Sequence, residues 1–249
     1  SRGGPGLGTI QPSQADYFQT VKGGGHGDYK LLTLAPSSVQ EMADFIAEGF
    51  DLAFKYRNPV MILSDGALGQ MMEKIVLPEQ RPRLAEYPDW ATNGTPEGKE
   101  RRFVTSLNLL PQQHEMVNIR LQEKYRAMEA EEVRYEMIDC EDAEYIIVAF
   151  GIIARIAQKS IELARAKGHK IGLFRPITLY PFPTKEITAL AEENRVKGLM
   201  SVELNAGQMI EDIRLAVEGR KPVGFFGRLG GMVPSPEEIE NALYKEFNL

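Results

Sequence analysis

Tyr145-Ile-Ile-Val-Ala-Phe150, followed by Gly151 and then Ile152-Ile-Ala-Arg-Ile-Ala157, is the stretch whose reading decides the fold. Six apolar residues in a row, with no alternation, describe a strand covered on both faces, which calls for a sheet sandwiched between helices. Gly151 supplies the turn, and Ile153, Ala157, Ile161 and Ala164 recur at three and four, marking a helix that Gly168 closes. The pattern then repeats. Strands are expected at 170–174, 198–202 and 223–226, and helices at 184–193, 208–217 and 235–247. Strand–helix pairs in unbroken succession make an α/β, doubly wound parallel sheet, whose ligand or partner edge lies at the carboxyl ends of the strands.

Upstream the rhythm is weaker but of the same kind. A short strand at 29–34 ends at Pro36, and Ser37 and Ser38 offer hydroxyls to a new helix, with Ser38 and Glu41 at the spacing of a capping box. Val39, Met42, Ala43, Ile46, Phe50 and Ala53 then share a helical face, expected to lie on a sheet. Asn58-Pro59 stops that helix, 60–64 is a second buried strand, and Asp65-Gly66 turns into a short helix through Met72. Strands joined by a crossover helix run parallel. From 76 to 113 Pro78, Pro82, Pro88, Pro96 and Pro111 break every period, and Tyr87, Trp90 and Phe103 suggest a segment draped over a surface. A charged connecting helix covers 114–130.

At 249 residues, with 43% apolar and 26% charged residues, the chain can build a substantial core. No apolar run approaches the about 18 residues of a membrane span, and no charged leader precedes one, so a cytoplasmic protein is expected. The single cysteine, Cys140, excludes an internal disulfide, a structural zinc site or an iron–sulfur cluster made by this chain alone. A formal charge of −6 without a basic block argues against nucleic acid and membrane surfaces.

Arg2-Gly-Gly-Pro-Gly-Leu-Gly8 has the chemistry for close approach to an anion, because residues without Cβ let N–H groups converge, but its spacing is not that of a dinucleotide site. A loop of this kind normally follows a strand, so a preceding portion of chain is expected. Arg2 can grip a carboxylate bidentately. Gly23-Gly-Gly-His-Gly-Asp28 reads equally as an active-site loop with His26 as proton shuttle or as a surface connection. His114 and His169 read as structural, Asp65 as a ligand-edge carboxylate or an Asp-Gly turn, and Asn205 as the cap of the helix after it. Arg228-Leu-Gly-Gly231 reads as a phosphate loop or an interface loop. No Ser-His-Asp order, metal-ligand cluster or Walker loop appears, so no complete catalytic set is expected here.

Taken in order, Arg2 to Gly8, Pro12-Ser-Gln-Ala-Asp-Tyr-Phe-Gln19, the Gly23 to Asp28 loop, Ala35-Pro-Ser-Ser-Val-Gln-Glu-Met42, Glu203-x-Asn-x-Gly-Gln208 and Gly227-Arg-x-Gly-Gly231 closely resemble the alpha subunit of 2-oxoacid:ferredoxin oxidoreductases, most of all the branched-chain, 2-oxoisovalerate type. The resemblance implies a partial thiamine-diphosphate pyrimidine-binding domain over 1–75 (its C-terminal half), a linker and connecting helix over 76–135, and a transketolase C-terminal-like domain over 136–249. It implies oxidative decarboxylation of a 2-oxoacid to an acyl-coenzyme A with reduction of ferredoxin. Thiamine diphosphate and magnesium would be shared with a beta subunit, and iron–sulfur clusters carried by a ferredoxin-like subunit, with a gamma subunit completing the assembly. Carried over by motif, Arg2 binds the substrate carboxylate, while Gly3, Gly4, Gly6 and His26 are weaker cofactor contacts. The glutamate that activates the aminopyrimidine would precede Ser1, so no catalytic residue is expected in this chain, which alone should be inactive. Action on 2-oxoglutarate, and a non-catalytic subunit-docking module, are the alternatives.

Overall fold

The computed structural model describes residues 1–80, 87–92, 94 and 100–249; Pro82 and Pro96 of the proline-broken stretch lie outside them. In chain order the elements are α1 (Tyr17–Val21), β1 (Leu32–Leu34), α2 (Val39–Tyr56), β2 (Val60–Ile62), α3 (Pro111–Glu131), β3 (Tyr135–Ile138), β4 (Tyr145–Val148), α4 (Gly151–Ala166), β5 (Ile171–Pro176), β6 (Thr178–Tyr180), α5 (Thr184–Glu192), β7 (Gly198–Glu203), α6 (Met209–Val217), β8 (Val223–Gly227) and α7 (Pro236–Phe247). A single 3₁₀ turn, Leu68–Gln70, stands where a short helix through Met72 is expected. Pro111, grouped by sequence with the breakers, is the first residue of α3, where a missing N–H costs nothing.

The larger sheet has the order β3-β5-β4-β7-β8. Its β5, β4, β7 and β8 are parallel, and β3 adds an antiparallel edge that the apolar pattern does not announce. Alternation along the strands sends Ile147, Leu173, Met200 and Val202 to the side of α4 and α7, and Ile146, Val148, Phe174 and Leu199 to the side of α5 and α6. The doubly wound expectation is therefore met, and each large side chain so covered contributes about 1.5–3 kcal/mol relative to exposure.

The smaller sheet, β2-β1-β6, holds a parallel pair from the first part of the chain and one antiparallel strand, β6, lent by the second. Tyr17, Leu32 and Leu34 consequently share a core with Ile146, Phe150 and Phe174. Ion pairs reinforce the joint. Arg175 of β5 is buried, bonds Glu136 at 2.7 Å and pairs with Glu41 of α2. That pairing alters the expected capping box: Ser38 Oγ accepts from Glu41 N at 3.1 Å, but the Glu41 carboxylate accepts from Ser37 N and Arg175 instead of returning to Ser38.

The expected buried face of α2 needs correction. Phe45, Gly49 and Leu52 are the residues turned inward, while Ile46 and Phe50 stay 54% and 66% exposed and Val39, Met42, Ala43 and Ala53 are half-buried. Both stripes satisfy a 3.6-residue period, and only the position of the sheet chooses between them. Of the linker aromatics, Trp90 lies on Phe54 with ring centroids 5.3 Å apart and takes the Arg57 guanidinium on its face, while Tyr87 and Phe103 remain exposed.

Candidate functional site

Arg2 stands on a small hairpin. It bridges to Pro12 in antiparallel fashion, Gly3 N–H donates to the Gln11 carbonyl at 2.9 Å, and Thr9 N–H donates to the Gly3 carbonyl at 2.7 Å. Gly6 and Gly8 close the turn at positive φ, and a Cβ on Gly8 would strike the Gly3 carbonyl. Arg2 Nη1 donates to the carbonyls of Leu7 and Thr9, which holds the exposed guanidinium over its own loop. Its Nε and Nη2 make no bond to the described residues, so the outward edge of the fork is free to take a carboxylate. Beside it, a Cβ on Gly4 or Gly6 would meet open space. Gly3 is different: it is buried, and its N–H is already committed to Gln11.

Three anchors fix this hairpin. Ser1 N donates to the Ser64 carbonyl at 2.5 Å, Ser1 Oγ to Asp16 at 2.6 Å, and Gly66 N to the Ser1 carbonyl at 3.0 Å. On the opposite side Gly3 lies against Gly230 and Gly231 at a separation that leaves a Cβ only 3.0 Å from the Gly230 carbonyl carbon. The third anchor follows Pro12 directly. Gln14 N donates to the Leu204 carbonyl at 3.0 Å, its Nε2 to the Phe150 carbonyl at 2.8 Å, and its Oε1 accepts from Leu204 N at 3.1 Å. Ser13 Oγ adds a bond to the Leu204 carbonyl at 3.1 Å. Leu204 and Phe150 follow β7 and β4, the central pair at which the winding of the sheet changes direction, so the crevice where such sheets hold ligands is filled by residues 13–15 of the same chain.

Asp65 belongs to this joint. Its Oδ1 accepts from Ala67 N at 2.9 Å and Leu68 N at 3.1 Å, the Asp-Gly turn, and its Oδ2 accepts from Ile152 N at 3.3 Å in the first turn of α4. Gly151, at positive φ, leaves room for both Asp65 and Gln14.

Asn205 does not cap α6. Its Nδ2 donates to the Gln14 carbonyl at 3.0 Å and its Oδ1 accepts from Gly207 N at 2.8 Å. The cap is Glu203, 1% exposed, whose carboxylate accepts from Gln208, Met209 and Ile210 N–H at 2.8–3.0 Å and from Ser201 Oγ at 2.7 Å. Buried acceptor oxygens suit the start of a helix, where the first N–H groups have no partner within the helix. The signal was present in the sequence as an acidic residue at a strand end just before a helix.

In the Arg228 to Gly231 loop Arg228 Nη1 bonds Glu238 at 2.7 Å, and the glycines pack on the Arg2 hairpin. The Gly23 to Asp28 loop is exposed and sits near α3, where Gln122 Nε2 donates to the Asp28 carbonyl at 3.3 Å. Among the described residues no hydrogen bond joins it to the Arg2 hairpin. His169 packs on Tyr244 at 4.8 Å and His114 is exposed in the first turn of α3. Cys140 is buried, and burial pushes its thiol up to about 12. Among the described residues no group of three or more His, Cys, Asp or Glu could hold a metal ion, and no helix is long and apolar enough to cross a membrane.

The fold and this joint define a class: α/β proteins in which a doubly wound sheet carries a second, smaller sheet and a glycine-rich arginine loop. Residues 1–144 match the family model described as pyruvate flavodoxin/ferredoxin oxidoreductase, thiamine diphosphate-binding, and residues 143–239 match pyruvate:ferredoxin oxidoreductase core domain II. The chain belongs to this oxidoreductase family. It is 50% identical over 230 residues to the ketoisovalerate oxidoreductase subunit VorB of Methanothermobacter marburgensis, covering 92% of this chain and 64% of that protein. It is 33% identical to the 2-oxoglutarate synthase subunit KorA of Methanocaldococcus jannaschii, covering 97% of this chain and 71% of that protein. The chain thus spans just under two thirds of the length of its ketoisovalerate relatives. A solved 2-oxoglutarate:ferredoxin oxidoreductase from Magnetococcus marinus shares the fold over 98% of this chain and 47% of its own, with a TM-score of 0.79 at 23% identity.

Proposed function

We propose that this chain supplies the substrate-carboxylate face of a thiamine diphosphate-dependent 2-oxoacid:ferredoxin oxidoreductase that converts 2-oxoisovalerate, or a related branched 2-oxoacid, to its acyl-coenzyme A. The observation that carries the reading is the exposed Arg2 guanidinium, its outward N–H groups free, on a glycine hairpin anchored to both sheets. The open space at Gly4 and Gly6 fits the approach of a flat cofactor ring, whereas the absence of a carboxylate or histidine cluster among the described residues does not fit a diphosphate–magnesium site. As the family resemblance implies, the diphosphate and magnesium belong to a beta subunit and the iron–sulfur clusters to a ferredoxin-like subunit, with a gamma subunit in the assembly. Thiamine diphosphate, when bound, supplies carbanion stabilisation for decarboxylation. Arg2 holds and orients the 2-oxoacid carboxylate, Gly4 and Gly6 leave the cofactor room, and the exposed His26 is a more distant candidate for proton handling. Preference for the branched substrate rests on the higher identity to the ketoisovalerate relatives than to the 2-oxoglutarate ones.

The test is coenzyme A-dependent reduction of a viologen dye by the full-length subunit assembled with its partners, using 2-oxoisovalerate, 2-oxoglutarate and pyruvate. Activity is expected to be highest with 2-oxoisovalerate, and no activity with any 2-oxoacid overturns the reading. Arg2→Ala should lower kcat/KM about 10- to 100-fold, the loss of a charge-assisted hydrogen bond worth about 1.5–3 kcal/mol. Arg2→Lys should restore little, since an ammonium cannot reproduce the fork.

A further inference from the structure

We propose that Gln14 is the positioning residue for Arg2: seated in the crevice between β4 and β7, it turns the ligand position of the larger sheet into a socket that sets where the guanidinium stands. The inference rests on the reading of Arg2 as the carboxylate grip, and it adds what fixes that grip in space. Four bonds to the strand ends seat the residue, beside a local one from Tyr17 N–H to its carbonyl at 3.4 Å. Its main-chain N–H and O are taken by the Leu204 carbonyl and Asn205 Nδ2, and its side-chain Nε2 and Oε1 by the Phe150 carbonyl and Leu204 N–H. These four partners follow β4 or β7, and the side-chain amide alone touches the ends of both central strands. The residue is 2% exposed, and its amide donates from one atom and accepts at another, which lets a single uncharged side chain bridge the two strand ends.

The link to Arg2 is short and stiff. Pro12, two residues before Gln14, pairs with Arg2, and Gln11 accepts from Gly3. Gly230 and Gly231 back the same hairpin from the end of β8, and Gly231, at φ 94°, has Thr9 and Gln11 directly against it. A displacement of Gln14 is thereby transmitted through Gln11–Pro12 to the guanidinium. Misplacing a substrate-orienting group by about 1 Å can cost on the order of 100-fold in rate, so the lever is large enough to matter.

The experiment is a double-mutant cycle in the full-length subunit assembled with its partners, reading KM and kcat for the 2-oxoacid. Gln14→Ala should raise KM about tenfold with the assembly intact by size-exclusion chromatography, and in the Arg2→Ala background the same change should alter KM less than about twofold. Equal fold-changes in both backgrounds, or an unchanged KM in the first, overturn the proposal. Because Gln14→Ala can fail to fold, Gln14→Asn, which keeps the amide but is one methylene too short to reach both strand ends, provides a second arm, read by hydrogen exchange on the full-length subunit without any assay. Exchange at Gly3 and Thr9 N–H should quicken at least about tenfold while Ile147 and Val148 stay unchanged; no quickening overturns the proposal. If Arg2→Ala itself leaves KM unchanged, the functional reading fails, and the exchange result still decides whether the socket holds the hairpin.

Discussion

Helices α2 and α4 each run between two parallel strands and carry apolar stripes of the same period, yet they end in different surroundings. On α4, Ile153, Ala157, Ile161 and Ala164 are buried between the five-stranded sheet and α7. On α2, Phe45, Gly49 and Leu52 are buried, while Ile46, Phe50 and Phe54 lie exposed on the other side, as does Met61 on the neighbouring β2. The period marks a helix in both cases. What differs is the number of layers, since a three-stranded sheet offers one face to α2, whose outer side carries Trp90 on Phe54 and the Val76 backbone on Gln40 but leaves Ile46 and Phe50 exposed.

The comparison breaks first at the core. Ile153→Ala should cost about 2–5 kcal/mol in urea unfolding, because the site is enclosed on every side and the cavity cannot collapse; a loss below 1 kcal/mol, on the order of a surface change, would mean that the α4 face is not the better packed one. Next comes the buried carboxylate of Glu203. Glu203→Leu leaves three N–H groups at the start of α6 without an acceptor and should cost about 3 kcal/mol. The matching change on the first unit, Ser38→Ala, removes one hydroxyl acceptor and should cost about 1 kcal/mol.

Acid sharpens the contrast further. Burial raises the pKa of Glu240 on α7, but Lys167 Nζ at 2.7 Å and the Tyr244 hydroxyl at 2.6 Å outweigh it and hold the carboxyl below the ordinary range. Its stabilisation is therefore present above the unfolded value of about 4.3 and is lost as pH falls through the lower folded value. Glu240→Gln should be less stable than the parent at pH 7, and the gap should close below about pH 4, read as melting temperature against pH. The smallest effect is expected on the exposed stripe: Phe50→Ser should change stability by less than about 0.5 kcal/mol. A larger loss would show that α2 is packed on both sides.

Much of the fold was legible because burial on two faces leaves continuous apolar runs. The strands at Tyr145–Val148 and Gly198–Glu203 and the helices behind them announce themselves this way. Strands β3 and β6 did not: Tyr135–Ile138 is mostly exposed on an antiparallel edge, and Thr178–Tyr180 is three residues long and pairs with a strand far back in the sequence. At the site, Arg2 and its glycines were legible as a guanidinium beside residues without Cβ. Gln14 was not, since an isolated amide says nothing of its surroundings, and Asn205 was misread because an Asn before a helix is so often a cap.

By itself the sequence determined the helices and the strands that are continuous apolar runs, the parallel winding of β5, β4, β7 and β8, and the presence of an arginine on a glycine turn, all of which depend on neighbours within a few residues along the chain. Only the tertiary structure decided which stripe of α2 faces inward, that Asn205 turns to the Gln14 carbonyl, and that Gln14 fills the crevice between β4 and β7. Those outcomes depend on groups that lie up to some 190 positions apart in the chain and meet only when both sheets are assembled.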